Sequence, residues 1–136
     1  MSPTTGRAAA TADLDLTTSL QDVLGMTLEI DIPVASTIFL VVSVDFELGP
    51  GTTAVAEFHL DGTPVQVGET FQTRVVAGSP SGTDGAWRGT ASNNYVFSLS
   101  SGTHVLQLRA RRAWGSGGSI QHPHTGFSYI IFADGS

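Results

Sequence analysis

The stretch STIFLVVSVDFELG, residues 36–49, leaves few folds open to this chain. Its even positions Ile38, Leu40, Val42, Val44, Phe46 and Leu48 are all apolar. A period of two places them on one face of a strand, whereas a helix would scatter them around its axis. The odd positions begin apolar with Phe39 and Val41 and turn polar at Ser43, Asp45 and Glu47. One face is therefore core throughout, and the other is expected to be covered at one end only, by a loop or a partner subunit.

The same period recurs along the chain. Leu14 and Leu16 alternate with Asp13 and Asp15, and Met26, Leu28, Ile30 and Ile32 alternate with Thr27, Glu29 and Asp31. Pro33 ends that ladder, and SLQDVLGM before it reads as a turn closed by Gly25. AVAEFHL sends Ala54, Ala56, Phe58 and Leu60 inward and leaves Glu57 and His59 on an open sheet face. Asp61-Gly62 is a hairpin signal that pairs residues 64–67 back. Residues 77–94 read as a long loop with a short strand near Trp87. YVFSLSSGTHVLQLRARRAW reads as a hairpin about the SSGT turn, and GSGG at 115–118 as a further turn. About nine closely spaced strands without a convincing helix predict an all-β fold, an antiparallel jelly-roll-like β-sandwich. With 136 residues, one domain over 13–136 is expected. The small, polar residues 1–12 are expected to form a flexible or clasping N-terminal arm.

Composition narrows function more than it names it. Only 13% of residues are charged, the net charge is −6, and the cations are six Arg with no Lys. Nucleic-acid binding needs a basic patch to displace phosphate counterions. The one candidate, Arg109, Arg111 and Arg112, splits across two faces of a strand. No cysteine is present, which removes disulfides and thiolate metal sites. No apolar run approaches the ~20 residues that span a bilayer, and the N-terminus lacks the apolar segment of a signal peptide. A surface so poor in charge suits an extracellular, virion or assembled protein, as it does many plain β-sandwiches; synthesis in a cytoplasm is expected, with assembly into a particle as one route outside. No nucleic-acid or membrane partner is expected.

Constellations that could carry chemistry are few. His122 and His124 flank Pro123, and two imidazoles at that spacing could share a metal if a third ligand came from a distant residue or a symmetry mate. The plainer reading is a proline-stiffened corner, so they stay weak metal candidates and no cofactor is expected. Glu57 beside His59 is an ordinary polar pair on a sheet face. No GxSxG elbow is present, and SSGTH (100–104) reads as a turn, so no catalytic residue is assigned. Trp87, Arg88 and Trp114 border Gly- and Ser-rich segments and are candidates for contact with a partner or carbohydrate. In GFSYIIFA, Phe127, Tyr129 and Ile131 share one face and Ile130 and Phe132 the other. Both faces are apolar, so Phe39, Val41, Phe127, Tyr129 and Ile131 are expected at a subunit interface, with three-fold assembly favoured.

The order TTSLQDVLGMTLEIDIP, STIFLVVSVDFELG, AEFHLDGTPV, YVFSLSSGTHVLQLRA and HTGFSYIIF resembles the small jelly-roll domains of tailed-phage virion proteins. More distantly it resembles the trimeric tumour-necrosis-factor-like fold, whose last strand carries aromatic residues near the three-fold axis. The resemblance spans residues 14 to 132 and transfers no functional residue. It implies a non-enzymatic structural role. The expected form is a homotrimeric capsid decoration protein contacting the major capsid protein or other virion proteins; the alternative is a tail or fibre head that binds a receptor or carbohydrate.

Overall fold

The alternation carries through into two antiparallel sheets packed face to face. A computed structural model describes residues 3–67, 71–72, 74–81 and 87–135. Its strands in chain order are β1 (Thr4–Ala9), β2 (Leu14–Asp15), β3 (Gln21–Ile32), β4 (Ser36–Leu48), β5 (Thr53–Leu60) and β6 (Thr63–Pro64). Then come β7 (Gln66–Val67), β8 (Phe71–Gln72), β9 (Arg74–Gly78), β10 (Trp87–Leu99), β11 (Gly102–Trp114) and β12 (Ser119–Ala133). One five-stranded sheet runs β1-β12-β4-β10 with β2 also on β12; the other runs β3-β11-β5-β6 with β9 also on β5. β7 and β8 form a small ribbon. No helix occurs among the described residues, and the architecture is the predicted all-β sandwich.

The core lies where the alternation of β4 points. Ile38, Leu40, Val42, Val44, Phe46 and Leu48 are all fully buried. Phe58 of β5 meets Phe127 of β12 edge to face, with centroids 5.3 Å apart, and Phe97 of β10 at 6.5 Å. Both partners belong to the opposite sheet, so one ring joins the two layers, and such pairs add to the stabilisation from burial. Asp61 (φ 53°) and Gly62 (φ 82°) make the expected turn into β6. Two left-handed residues in succession suit the twist of a two-residue hairpin.

Four local expectations are corrected. The segment around SSGT is not a hairpin, because β10 pairs with β4 while β11 pairs with β3 and β5. The chain crosses the sandwich there, and turn chemistry with flanking alternation is common to both geometries. Residues 21–25 are not a separate turn but the start of β3, which bulges opposite β11 between Asp22 and Thr27. Gly25 takes φ 84° in that bulge, and a Cβ there would strike Ala9 and Thr11. The 77–94 loop is shorter than expected, since β10 pairs with β4 from Trp87 onward; residues 82–86 lie outside the described set. Finally, Thr4–Ala9 is an edge strand zipped onto β12 from Ile131 to Gly126. Small residues there do not withhold backbone hydrogen bonds, and the strand closes the side of the sheet that β12 would leave open.

At one end a single buried threonine ties three loops. The Thr52 hydroxyl donates to the Ser116 carbonyl at 2.9 Å and accepts from the Ser116 amide at 3.2 Å. Its own amide donates to the Ser79 hydroxyl, and its carbonyl accepts from the Ser79 amide. Thr52 is wholly buried, and this network satisfies its polar groups where water cannot.

Because Phe58 spans the layers, Phe58→Ala should lower stability by about 3–5 kcal/mol. Phe58→Leu should lose clearly less. Urea unfolding followed by tryptophan fluorescence measures both, and equal losses would contradict the bridging role.

Candidate functional site

The strands at the centre of the first sheet, β12 and β4, present an outer face of two unlike halves. In one half, registered neighbours Ile130, Phe39 and Val96 form a row across β12, β4 and β10. Their exposures are 37%, 38% and 52%, and Val41 and Phe132 beside them stand at 41% and 48%. A contiguous apolar patch of this kind on a sheet face is unusual for surface that stays in water. Phe39 and Val41 are thus on the outward face, as the alternation of β4 predicted. Phe127, Tyr129 and Ile131 do not: they are 2%, 8% and 7% exposed and point into the chain's own core. The outward set of the last strand is Ile130 and Phe132, with Ser128 in phase. That serine was the available signal, since a polar residue marks the parity that leaves the core.

The other half of this face is charged and internally tied. Asp45 is buried, and Arg88 from the neighbouring strand donates to it at 3.0 Å. Arg88 is therefore committed to a carboxylate, which holds its pKa up. Between Gln121 and Gly126 the pairing of β12 with β4 is interrupted, so His122-Pro123-His124 is a bulge within one long strand, not a corner before it. Thr125 fills the gap, its hydroxyl accepting from the Asp45 amide and donating to the Gln121 carbonyl. Asp13 accepts from the His122 amide at 2.8 Å and meets His122 Nδ1 at 2.6 Å. The amide bond first, then the ring, hold the Asp13 carboxyl below its ordinary range. His122 is thus paired with Asp13. No group of three or more metal-ligating side chains occurs among the described residues.

On the second sheet the outer face carries alternating charge. Asp22, Arg109, Glu57 and Arg74 stand in register across β3, β11, β5 and β9, with ion pairs of 2.9 Å for Arg109–Asp22 and 3.5 Å for Arg74–Glu57. Opposite charges directly across strands stabilise a sheet. Glu57 and His59 are 7% and 3% exposed, so they do not lie on an open face. β5 is central in its sheet, and β6, β9 and β11 flank it closely. His59 Nε2 lies 3.3 Å from Glu57. Arg112 turns to the other side, donating to the Leu16 and Gly117 carbonyls. Arg109 and Arg112 are therefore committed to separate internal partners. Trp87 packs against the core, whereas Trp114 is 71% exposed.

One constellation was not singled out from sequence. His104 Nδ1 lies 2.7 Å from the Asp61 carboxylate, and its Nε2 lies 2.7 Å from the Ser100 carbonyl and 3.4 Å from the Ser100 hydroxyl. Serine, histidine and aspartate stand in the order of a hydrolytic triad, but the wiring differs. A general base needs a lone pair on the nitrogen facing serine. Here that nitrogen faces a carbonyl, an acceptor, and so carries a proton. Asp61 also accepts from the Val105 amide at 2.8 Å. The imidazole is a clamp that joins the β5–β6 hairpin to the crossing between β10 and β11. Asp61 first, then the Ser100 carbonyl, push the His104 pKa up; His104 in turn holds Asp61 down.

No family model matches the chain, and no curated protein matches it in sequence. Solved structures do share its fold. The Eiger TNF of S. frugiperda superposes with a TM-score of 0.62 at 12% identity, over 97% of this chain and 94% of that one. Murine APRIL gives 0.61 at 11% identity, over 96% and 100%. The sandwich shares its jelly-roll fold with these two structures. At these identities the likeness is one of fold.

The clamp sets a pH window. The raised His104 pKa contributes stability that is complete below its ordinary 6.5 and fades as pH rises through the folded-state value. The lowered Asp61 pKa contributes above its ordinary 3.8 and is lost as pH falls through its folded-state value. Wild type should therefore exceed His104→Gln in melting temperature most between those two values, with the gap narrowing towards about pH 9. A gap that widens with alkali would refute the clamp.

Proposed function

We propose that the chain is a non-enzymatic structural protein that works as a homotrimer, buried through the apolar half of the first sheet's outer face. The observation that carries this reading is the row Ile130–Phe39–Val96 with Val41 and Phe132. These side chains are large, contiguous and unburied in the single chain, in register across the outer face of β12, β4 and β10. Interface centres are apolar and poor in charge, with polar residues around them, and the tied charges of Asp45, Arg88, Asp13 and His122 would form such a rim. A ring of three needs this face to meet a different surface on the next copy. The trimeric tumour-necrosis-factor-like fold that the chain resembles, and the fold likeness to solved structures, support three copies over two.

Within that reading, the specific role is decoration of a phage capsid, where the trimer would bridge neighbouring shell subunits. The sequence resemblance to small virion jelly rolls supports it, as does a surface poor in charge and devoid of Lys. The second reading, a receptor- or carbohydrate-binding head, is favoured by Trp114. Its exposed indole at the rim of the second sheet is free to stack on a sugar ring.

Light scattering on the purified chain should give three times the monomer mass. Phe39→Asp combined with Ile130→Asp should give monomers that still melt cooperatively, because neither side chain belongs to the core. A wild-type monomer at micromolar concentration would sink the assembly. Glycan-array binding abolished by Trp114→Ala would instead favour the head over the decoration protein; copurification with capsids would favour decoration.

A further inference from the structure

A pocket opens where the two sheets part, between β1, β3 and the end of β12. Its volume is about 190 Å³, somewhat more than the ~150 Å³ of an engineered apolar cavity that takes up benzene. Ile30, Ile32, Val34, Ile131 and Ala133 supply apolar walls. β1 and β3 are the edge strands of their respective sheets on this side, so no further strand seals the gap.

Tyr129 sets the chemistry of this pocket. It stands in register with Gly6 of β1, and a Cβ on Gly6 would run into its ring and hydroxyl. The ring and hydroxyl therefore pack directly against the glycine of β1, a cross-strand aromatic–glycine pairing. Tyr129 is 8% exposed and lines the pocket. Burial alone pushes its pKa up, with no hydrogen-bond partner among the described residues contributing. A phenol so placed is a donor and acceptor without a hydrogen-bond partner among the described residues, and it is open to a ligand or to water in the pocket it lines. By contrast, the Ser36 hydroxyl in the same wall is engaged with the Val34 carbonyl at 2.7 Å. Asp31 lies at the rim, and the chain as a whole carries a charge of −6, so anions are disfavoured.

We propose that this pocket binds a small neutral amphiphile: an apolar ring or short aliphatic chain bearing one hydroxyl that pairs with Tyr129. The site is independent of the assembly face, since Tyr129 and Ile131 point inward while Ile130 and Phe132 point out.

Cyclohexanol is a suitable probe, with methyl NMR of Ile30, Ile32 and Ile131 in the full chain as the readout. Saturable shifts confined to these methyls are expected. Loss of one hydrogen bond in Tyr129→Phe should weaken binding about five-fold. Ala133→Leu should abolish it by filling the floor, and Thr4→Trp, at an exposed position on the mouth, should do so from outside. Cyclohexanecarboxylate should bind more weakly than the alcohol. Shifts that never saturate, or that survive both filling variants, would overturn the site; affinity unchanged in Tyr129→Phe would overturn the part given to the hydroxyl.

Discussion

The ring of Phe58 is the contact on which the arrangement of the two layers depends. It rises from one sheet and meets Phe127 and Phe97 of the other, so the sheets are joined by a specific aromatic geometry as well as by general burial. Around it, the inward residues of β4 fill the core without exposure. With that side of β4 and β12 committed, their remaining side chains have only the outside to face. The apolar row on the first sheet is thus the complement of a core already complete without it. It calls for burial that a single chain does not provide.

What the sequence made legible was whatever depends on near neighbours. The parity of β4, the turn at Asp61-Gly62 and the glycine-rich turn after Trp114 follow from period and from backbone freedom, and each is found. What it hid depends on which strand comes to lie beside which. Ser100–Thr103 carries the same residues whether the chain folds back or crosses to the other layer, and only the pairing of β11 with β3 and β5 decides. Likewise, Phe127, Tyr129 and Ile131 are as apolar as Ile130 and Phe132, so hydrophobicity alone could not say which set the core would take. The clamp of His104 on Asp61 joins residues 43 positions apart, beyond the reach of any local pattern.

Charge is arranged to the same end. A chain with few ionic groups uses several of them as internal ties: Arg88 to Asp45, Arg109 to Asp22, Arg74 to Glu57 and His122 to Asp13. Such pairs at partly exposed sites add little to stability, but they fix side chains that would otherwise compete for partners. The outer faces are left with defined orientations, and the apolar half of the first sheet is bordered by groups already satisfied.

The pairing of β1 with β12 has a consequence for how the molecule comes into being. The first and last strands of the described fold are neighbours, and β12 also supplies the central partner of β4. During synthesis the first sheet therefore cannot close until residues near 133 have left the ribosome. Contacts so distant in sequence form slowly, because the intervening chain must be gathered first. Until then the apolar strand β4 would stand without one of its two neighbours, its free edge a template for pairing with another unfinished chain. Yield in the cell should be governed less by the stability of the finished sandwich than by how long that wait lasts.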